Sequence, residues 1–351
     1  MKKEYLVYFL LILFFFMFAL HSSAFISFSG TYSEQFTKNY IKLKIAGYFP
    51  AELPEERGIV FSQPCSLAID KLKNIALLDS RQAKVFVFSE SGDLISAFGK
   101  VGQGPGEFSF PTKVFFYEDN VCVFDQSAHN LQIFDLKGHF KKLIKLYPSY
   151  SDILINNQGQ IFCARLLKFE QPYLIDLLDQ NGERVLSFGQ PLKLENIPLG
   201  LLNDLKLAFF NDYVLAASRT TGYINIYSKQ GNLVKEIDAL KIYLNKEVND
   251  NINRFKNFDR TKPATYSHIF ESIKTNENSI YFLRSRPGVY EILEMNELFK
   301  LENVYKIETK GILAIDFDIA LTQERDKPKF YLIDYEEEKI RILILTPERR
   351  F

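Results

Sequence analysis

Ile75-Ala-Leu-Leu-Asp79 and Val121-Cys-Val-Phe-Asp125 are each a short apolar run that ends in Asp, and the reading of this pair decides the fold. A polar turn and a second apolar run follow each of them, Lys84-Val-Phe-Val-Phe88 and Leu131-Gln-Ile-Phe134. Each unit then meets a Gly turn, Ser91-Gly92 or Lys137-Gly138. It leaves that turn in a third run, Asp93-Leu-Ile-Ser-Ala-Phe98 or Phe140-Lys-Lys-Leu-Ile-Lys-Leu146. A lead-in run behind a Pro stands ahead of each unit, Pro64-Cys-Ser-Leu-Ala-Ile69 and Pro111-Thr-Lys-Val-Phe-Phe116. Short runs rich in β-branched and aromatic residues, bounded by turn formers, read as strands. The unit is therefore four strands, a to d, joined by tight turns.

The pattern continues along the chain. A third unit has Ile161-Phe-Cys-Ala164, Tyr173-Leu-Ile175 and the turn Asn181-Gly182 before Val185-Leu186. A fourth has Val214-Leu-Ala-Ala217, Tyr223-Ile-Asn-Ile-Tyr227 and the turn Gln230-Gly231 before Leu233 to Ile237. A fifth has Ile280-Tyr-Phe-Leu283, Val289 to Leu293 and a d strand near Val304 to Ile307. The sixth has Phe330-Tyr-Leu-Ile333 and Ile340 to Leu345, and then the sequence ends at Phe351 without a fourth strand. Upstream of the first unit lies an orphan strand candidate, Tyr40-Ile-Lys-Leu-Lys-Ile45. A strand from the N-terminal side that completes the last unit leaves no open edge between the ends, which is how radial repeats manage their edges. Four-stranded units of about 40 to 50 residues are the propeller period. The expected fold is all-β: a six-bladed β-propeller with four-stranded antiparallel blades, its last blade completed by an N-terminal strand.

The carriers of a family resemblance are Phe61-Ser-Gln-Pro64, Ala68-Ile-Asp70, Leu78-Asp79, Val85-Phe-Val-Phe88, Phe98-Gly99 and the connector Gly102-Gln-Gly-Pro-Gly-Glu-Phe108 before Pro111. With these the chain resembles NHL-repeat proteins, and the connector is similar to that of bacterial exported six-bladed propellers. The resemblance is strong over 61–146 and weaker but in phase over 150–345. It implies the fold. It does not imply an activity, because propellers carry lyases, lactonases, receptors and scaffolds alike.

In 351 residues, 43 Lys and Arg balance 43 Asp and Glu, so no global field draws the chain to nucleic acid or an anionic membrane. Phe (33) and Tyr (19) are abundant and Trp is absent, a bias that suits half-buried strands. The N-terminal end reads differently. Lys2 and Lys3 precede an unbroken apolar run from Tyr5 to Leu20, and then His21-Ser-Ser-Ala24. This is the pattern of a signal peptide over 1–24 cut after Ala24, or of an uncleaved anchor. The run is shorter than the about 20 residues of a comfortable span. The protein is expected to be periplasmic or secreted, with membrane contact only through an uncleaved N-terminal segment. The propeller would fill 25–351. Cys65, Cys122 and Cys163 are odd in number, lack C-x-x-C spacing and sit in apolar runs, so three buried free thiols are expected.

Several motifs bear on chemistry. Gly99 to Gly106 lacks the G-K-[ST] ending and a following helix, so it reads as a turn between blades and not as a phosphate loop. His129 falls in a b–c turn, His139 in a c–d turn and His268 near an a strand. The first two turns lie on opposite faces, so a three-histidine zinc site is not expected. Asp79, Asp125 and Asp334 end b strands; such Asp residues bond neighbouring backbone more often than calcium. The same column continues as Arg165, Ser218 and Arg284 in units three to five, with Arg219 and Arg286 beside it. Guanidinium groups suit bidentate capture of carboxylate, sulfate or phosphate. The expected site is an anion-binding arc of Arg165, Arg219, Arg284 and Arg286. Lys241 to Ser267 breaks the period, and Val248, Ile252 and Phe255 recur there at helical spacing, a helical insertion that could serve as lid or docking element. No Ser/His/Asp or Cys/His arrangement stands out. The reading is a non-enzymatic binding or scaffold propeller, its ligand a protein, peptide or glycan held on one face, with no cofactor. The alternative is a metal-dependent lactonase- or lyase-like enzyme, with calcium or zinc in the central channel.

Overall fold

A computed structural model describes residues 39–50, 59–147, 149–167, 172–195, 197–237, 243–257, 267–321, 328–336 and 340–348. The signal-peptide reading of 1–24 lies outside the described residues. Strand β1 is Asn39–Phe49. Blade one is β2 (Pro64–Ile69), β3 (Ile75–Asp79), β4 (Lys84–Phe88) and β5 (Leu94–Phe98). Blade two is β6 (Pro111–Tyr117), β7 (Asn120–Asp125), β8 (Asn130–Asp135) and β9 (Phe140–Lys145). Blade three is β10 (Tyr150–Ile155), β11 (Ile161–Arg165), β12 (Ile175–Leu178) and β13 (Arg184–Phe188). A short helix α1 (Leu199–Leu202) precedes blade four, which is β14 (Leu205–Phe210), β15 (Tyr213–Ser218), β16 (Ile224–Ser228) and β17 (Leu233–Ile237). Helix α2 (Asn245–Lys256) leads to blade five: β18 (Ser272–Thr275), β19 (Ser279–Arg286), β20 (Val289–Asn296) and β21 (Leu301–Glu308). Blade six holds β22 (Leu313–Leu321), β23 (Pro328–Tyr335) and β24 (Ile340–Pro347).

The first four blades are separate four-stranded sheets in the order a-b-c-d. Blades five and six form one eight-stranded sheet because β1 joins them. Leu43 to Phe49 run antiparallel to β24 and supply the missing outer strand of blade six. Asn39 to Lys42 run parallel to Asn303 to Lys306 of β21 in blade five, a pairing the repeat does not foretell. One chain correction falls in blade three: its c strand is Ile175–Leu178, displaced toward the C-terminus from the Tyr173-Leu-Ile175 run. Arg165 N–H and Leu174 carbonyl still bond at 2.8 Å, but Tyr173 is exposed and starts no ladder.

The core is not one mass but a ring of blade interfaces. Val85 and Val87 of β4 pack against Val114, Val121 and Val123 of blade two, whereas Phe86 and Phe88 of the same strand pack with Tyr331 and Ile333 of blade six. Successive strand side chains point to opposite faces, and here both faces meet a neighbour, so the run is apolar throughout. Equivalent clusters join blades two and three around Cys122 and Cys163, three and four around Phe162, four and five around Phe282, and five and six around Leu43 and Phe330. Helix α2 adds to the fourth seam with Val248, while its Phe255 packs on Ile197 and Leu202 beside α1.

Candidate ligand site at the channel mouth

The six inner strands surround a central channel of about 300 Å³. Near their first residues each strand offers a polar side chain: Ser66, Lys113, Asp152, Lys206, Ser272 and Asp316. These tie blade to blade. Asp316 Oδ2 accepts the Leu67 N–H at 2.9 Å and the Ser66 hydroxyl at 3.0 Å. Ser66 Oγ accepts the Val114 N–H at 3.2 Å. Lys113 Nζ donates to Asp152 at 2.7 Å and to the Ile153 carbonyl at 2.8 Å. Asp152 accepts the Leu207 N–H at 2.8 Å, and Ser272 donates to Asp316 at 2.5 Å. The belt thus stitches every junction except that between blades four and five, which the Thr275 hydroxyl bridges by donating to the Phe209 carbonyl at 2.5 Å, while the Lys206 ammonium makes no hydrogen bond or close ion pair to any described residue. Two residues further along the inner strands come Lys274 and Asp318. Lys274 donates to the Leu67 carbonyl at 3.0 Å and lies 3.6 Å from Asp316, while Asp318 accepts the Ile69 N–H at 2.7 Å.

Burial and charge compete here. Burial pushes the Asp152 carboxyl up, but Lys113, Lys206 and the Leu207 N–H outweigh it and hold the group below its ordinary value. Burial pushes the Lys113 ammonium down, and Asp152 offsets only part of that. Burial also lowers Lys274, yet Asp316, Asp318 and Asp152 raise it above its usual value. Asp318 is raised, chiefly by burial, against the pull of Lys274.

A second cavity of about 310 Å³ lies on the face of the b–c turns and d–a connections, across blades two to four. Thr112 and Lys206 line both this cavity and the channel, so the two lie side by side at that point. Its walls are held by hydrogen bonds. Gln126 donates to the Tyr150 carbonyl at 2.9 Å. Asn203 accepts the Leu192 N–H at 2.9 Å and donates to the Leu199 carbonyl at 2.8 Å, which fixes α1 on the loop ahead of it. Gly200 is required in α1, because a Cβ there would sit 2.5 Å from the Leu167 carbonyl oxygen. Arg219 closes one side, bonded to Asp204 at 3.2 Å and Glu271 at 2.8 Å, with His268 Nδ1 at 2.6 Å. Arg219 Nε and Thr112 Oγ1 are buried and have no partner among the described residues.

The expected arginine arc takes a different form. Arg165 is buried and holds Asp176 through Nε at 2.9 Å and Nη2 at 2.6 Å. Arg284 is buried as well, donating to Glu291 at 2.6 Å, Glu247 at 3.2 Å and the Ile269 carbonyl at 3.3 Å. Arg286 is 52% exposed and pairs with the same Glu247 of α2. Carboxylates of the chain therefore occupy Arg165 and Arg284, and the four do not form an open row. Of the four, Arg219 alone lines a described cavity. The b-strand column instead clamps the incoming d–a connection. Asp79 accepts the Ser62 and Gln63 N–H groups, and Asp125 those of Ser109 and Phe110. Ser218 and Arg284 do the same work with opposite polarity, donating to the Leu202 and Ile269 carbonyls.

The Gly-rich connector is filled by its own acid: Glu107 Oε2 accepts the Gln103 and Gly104 N–H groups at 3.1 and 3.0 Å. Those bonds, that of Gly104 foremost, hold its carboxyl below the ordinary value. Among the described residues no group of three or more His, Cys, Asp and Glu is placed to hold a metal ion. The channel residues Asp152, Lys206, Lys274, Asp316 and Asp318 escape the sequence reading, which located lead-in strands for the first two units only. The signal that would find them is a charged residue inside a lead-in run, as in Pro111-Thr-Lys113.

Residues 60–176 match a family described as a 6-bladed beta-propeller. Protein brain tumor of Drosophila melanogaster is 23% identical over 142 residues, which span 38% of this chain and 13% of that protein. A candidate exported protein of Bacteroides fragilis superposes with a TM-score of 0.55 at 12% identity, covering 89% of this chain and 100% of that one. A streptogramin B lyase superposes at 0.50 with 10% identity, covering 87% of this chain and 97% of its own. At such identities the likeness is one of fold. No described helix is long and apolar enough to cross a membrane. The chain is an all-β propeller with four-stranded antiparallel blades, six in number.

Proposed function

We propose that this chain is a non-enzymatic recognition propeller that works outside the cytoplasm and holds a protein, peptide or glycan on the face of the b–c turns and d–a connections. The observation that carries this reading is the mouth pocket across blades two to four, adjacent to the channel and walled by side chains that hydrogen bonds already fix. Recognition favours such pre-organised polar groups on a rigid frame, because little order remains to be lost on binding. Arg219 is the ligand-facing member of the four arginines, and Arg286 a rim contact. Export is supported by Lys2-Lys3, the apolar run to Leu20 and the small residues before Phe25. N-terminal sequencing of protein recovered from the cell envelope should begin at Phe25.

The full chain is to be screened on peptide and glycan arrays, and a bound ligand released and weighed by mass spectrometry. An unaltered ligand whose binding falls in Arg219→Ala supports recognition. A cleaved or rearranged ligand, or stoichiometric calcium or zinc retained through dialysis, would move the protein to the enzyme class.

A further inference from the structure

Six charged side chains from five inner strands line the channel: Lys113, Lys206 and Lys274 against Asp152, Asp316 and Asp318. Lys113 is matched to Asp152 at 2.7 Å and Lys274 to Asp316 at 3.6 Å. Asp318 is satisfied by the Ile69 and Ile319 N–H groups at 2.7 and 2.9 Å. Lys206 acts on Asp152 only at a distance, without a hydrogen bond or close ion pair, and it lines both the mouth pocket and the channel. Two unpartnered polar atoms belong to residues of the same pocket, Thr112 Oγ1 and Arg219 Nε. All three groups can donate a hydrogen bond, so the pocket is short of an acceptor. Thr112 Oγ1 and Arg219 Nε are buried, Lys206 is half-buried, and buried donors left unmatched are costly, which favours an anionic oxygen there.

We propose that Lys206 is the cation of a carboxylate subsite, and that the ligand presents to it the C-terminal carboxylate of a peptide. This rests on the recognition reading and names the chemistry of its ligand. The channel wall decides between acids. Phe115, Leu154 and Ala208 follow the belt residues Lys113, Asp152 and Lys206 by two positions in their strands and line the channel below them. An apolar last side chain would descend along that wall while its carboxylate meets Lys206. A uronic acid, polar around its whole ring, has nothing to set against those groups.

The test titrates the full chain with N-acetyl-Ala-Leu, with its C-terminal amide, with glucuronate and with inorganic phosphate at constant ionic strength, following heat of binding. Wild type should saturate with the peptide acid and bind the amide at least about tenfold more weakly. Lys206→Met should lose the acid by a similar factor, and Lys206→Arg should restore most of it while melting like wild type. Acid and amide binding alike, or Lys206→Met binding as wild type, would overturn the carboxylate subsite and leave the recognition reading standing on its array result. Absence of saturation by every probe would overturn it too. Tighter binding of glucuronate or phosphate than of the peptide acid would overturn the peptide assignment.

Discussion

Asp316 Oδ2 accepts the Leu67 N–H at 2.9 Å, a bond that links the last blade to the first. The same carboxylate takes the Ser66 and Ser272 hydroxyls and lies beside Lys274, so one side chain gathers blades five, six and one. Asp316→Ala would leave those donors unmatched and take the nearest carboxylate from the Lys274 ammonium. A loss of about 3–5 kcal/mol is expected, read as a lower urea midpoint at unchanged slope.

The Lys113–Asp152 pair predicts a pH signature. Asp152 titrates below its ordinary value in the folded chain, since Lys113, Lys206 and the Leu207 N–H outweigh its burial. A depressed carboxyl contributes stability that is complete above the unfolded range of about 4 and is lost as pH falls through its own folded value. Urea denaturation from pH 7 to pH 3 should therefore show the gap between wild type and Asp152→Asn shrinking on the acid side. A gap constant with pH would refute the assignment.

The three cysteines are free, two of them buried. Burial pushes the Cys65 thiol up to about 12, and it raises Cys122 and Cys163 as well. The thiolate is the species that alkylates. Iodoacetamide at pH 8 should leave the native chain unmodified by mass, and should add three groups once urea unfolds it.

Arg165 and Asp176 make a buried bidentate pair, reinforced by the Tyr150 and Ser187 hydroxyls at 2.9 and 2.6 Å on Asp176. Arg165→Met should cost about 3–5 kcal/mol in thermal or urea unfolding, because it leaves Asp176 a buried charge without its counter-ion. Arg165→Met with Asp176→Leu should recover much of that loss. Recovery would mark Arg165 as architecture. A stable single variant that had lost ligand binding would return it to the ligand face.

Leu43 is 2% exposed, packed with Phe330 and Leu345 in the seam between blades five and six. Leu43→Ala is expected to cost about 2–5 kcal/mol. Removal of Asn39–Phe49 goes further, since it bares the edges of β21 and β24 together, and unpaired edges template association. Light scattering should detect aggregates of the shortened chain at concentrations where the full chain stays dispersed.

Blades one and two were legible because their strands are apolar on both faces and end in Asp79 and Asp125 before clear turns. The orphan run at Tyr40 was legible for a different reason, as the one strand the last unit lacked. The channel was not. Ser66 and Asp316 are bonded across 250 positions and Lys113 and Asp152 across 39, so only ring closure shows that they share an axis. Periodicity also misleads there, because Asp152, Lys206, Lys274 and Asp316 interrupt the apolar runs that mark inner strands. The arginines illustrate the opposite case. Arg165, Ser218 and Arg284 share a column for the reason Asp79 and Asp125 do, to fasten backbone or a neighbouring strand, and a column of like positions is not by itself a site.

The dual pairing of β1 has a mechanical corollary. Backbone hydrogen bonds run without a break from β18 to β22 through that one strand, whereas no other two neighbouring blades share a sheet. The ring therefore has five seams held without a shared backbone ladder and one that has it. The seams of blades two to four, where the mouth opens, are among the five, so spreading them breaks no shared sheet.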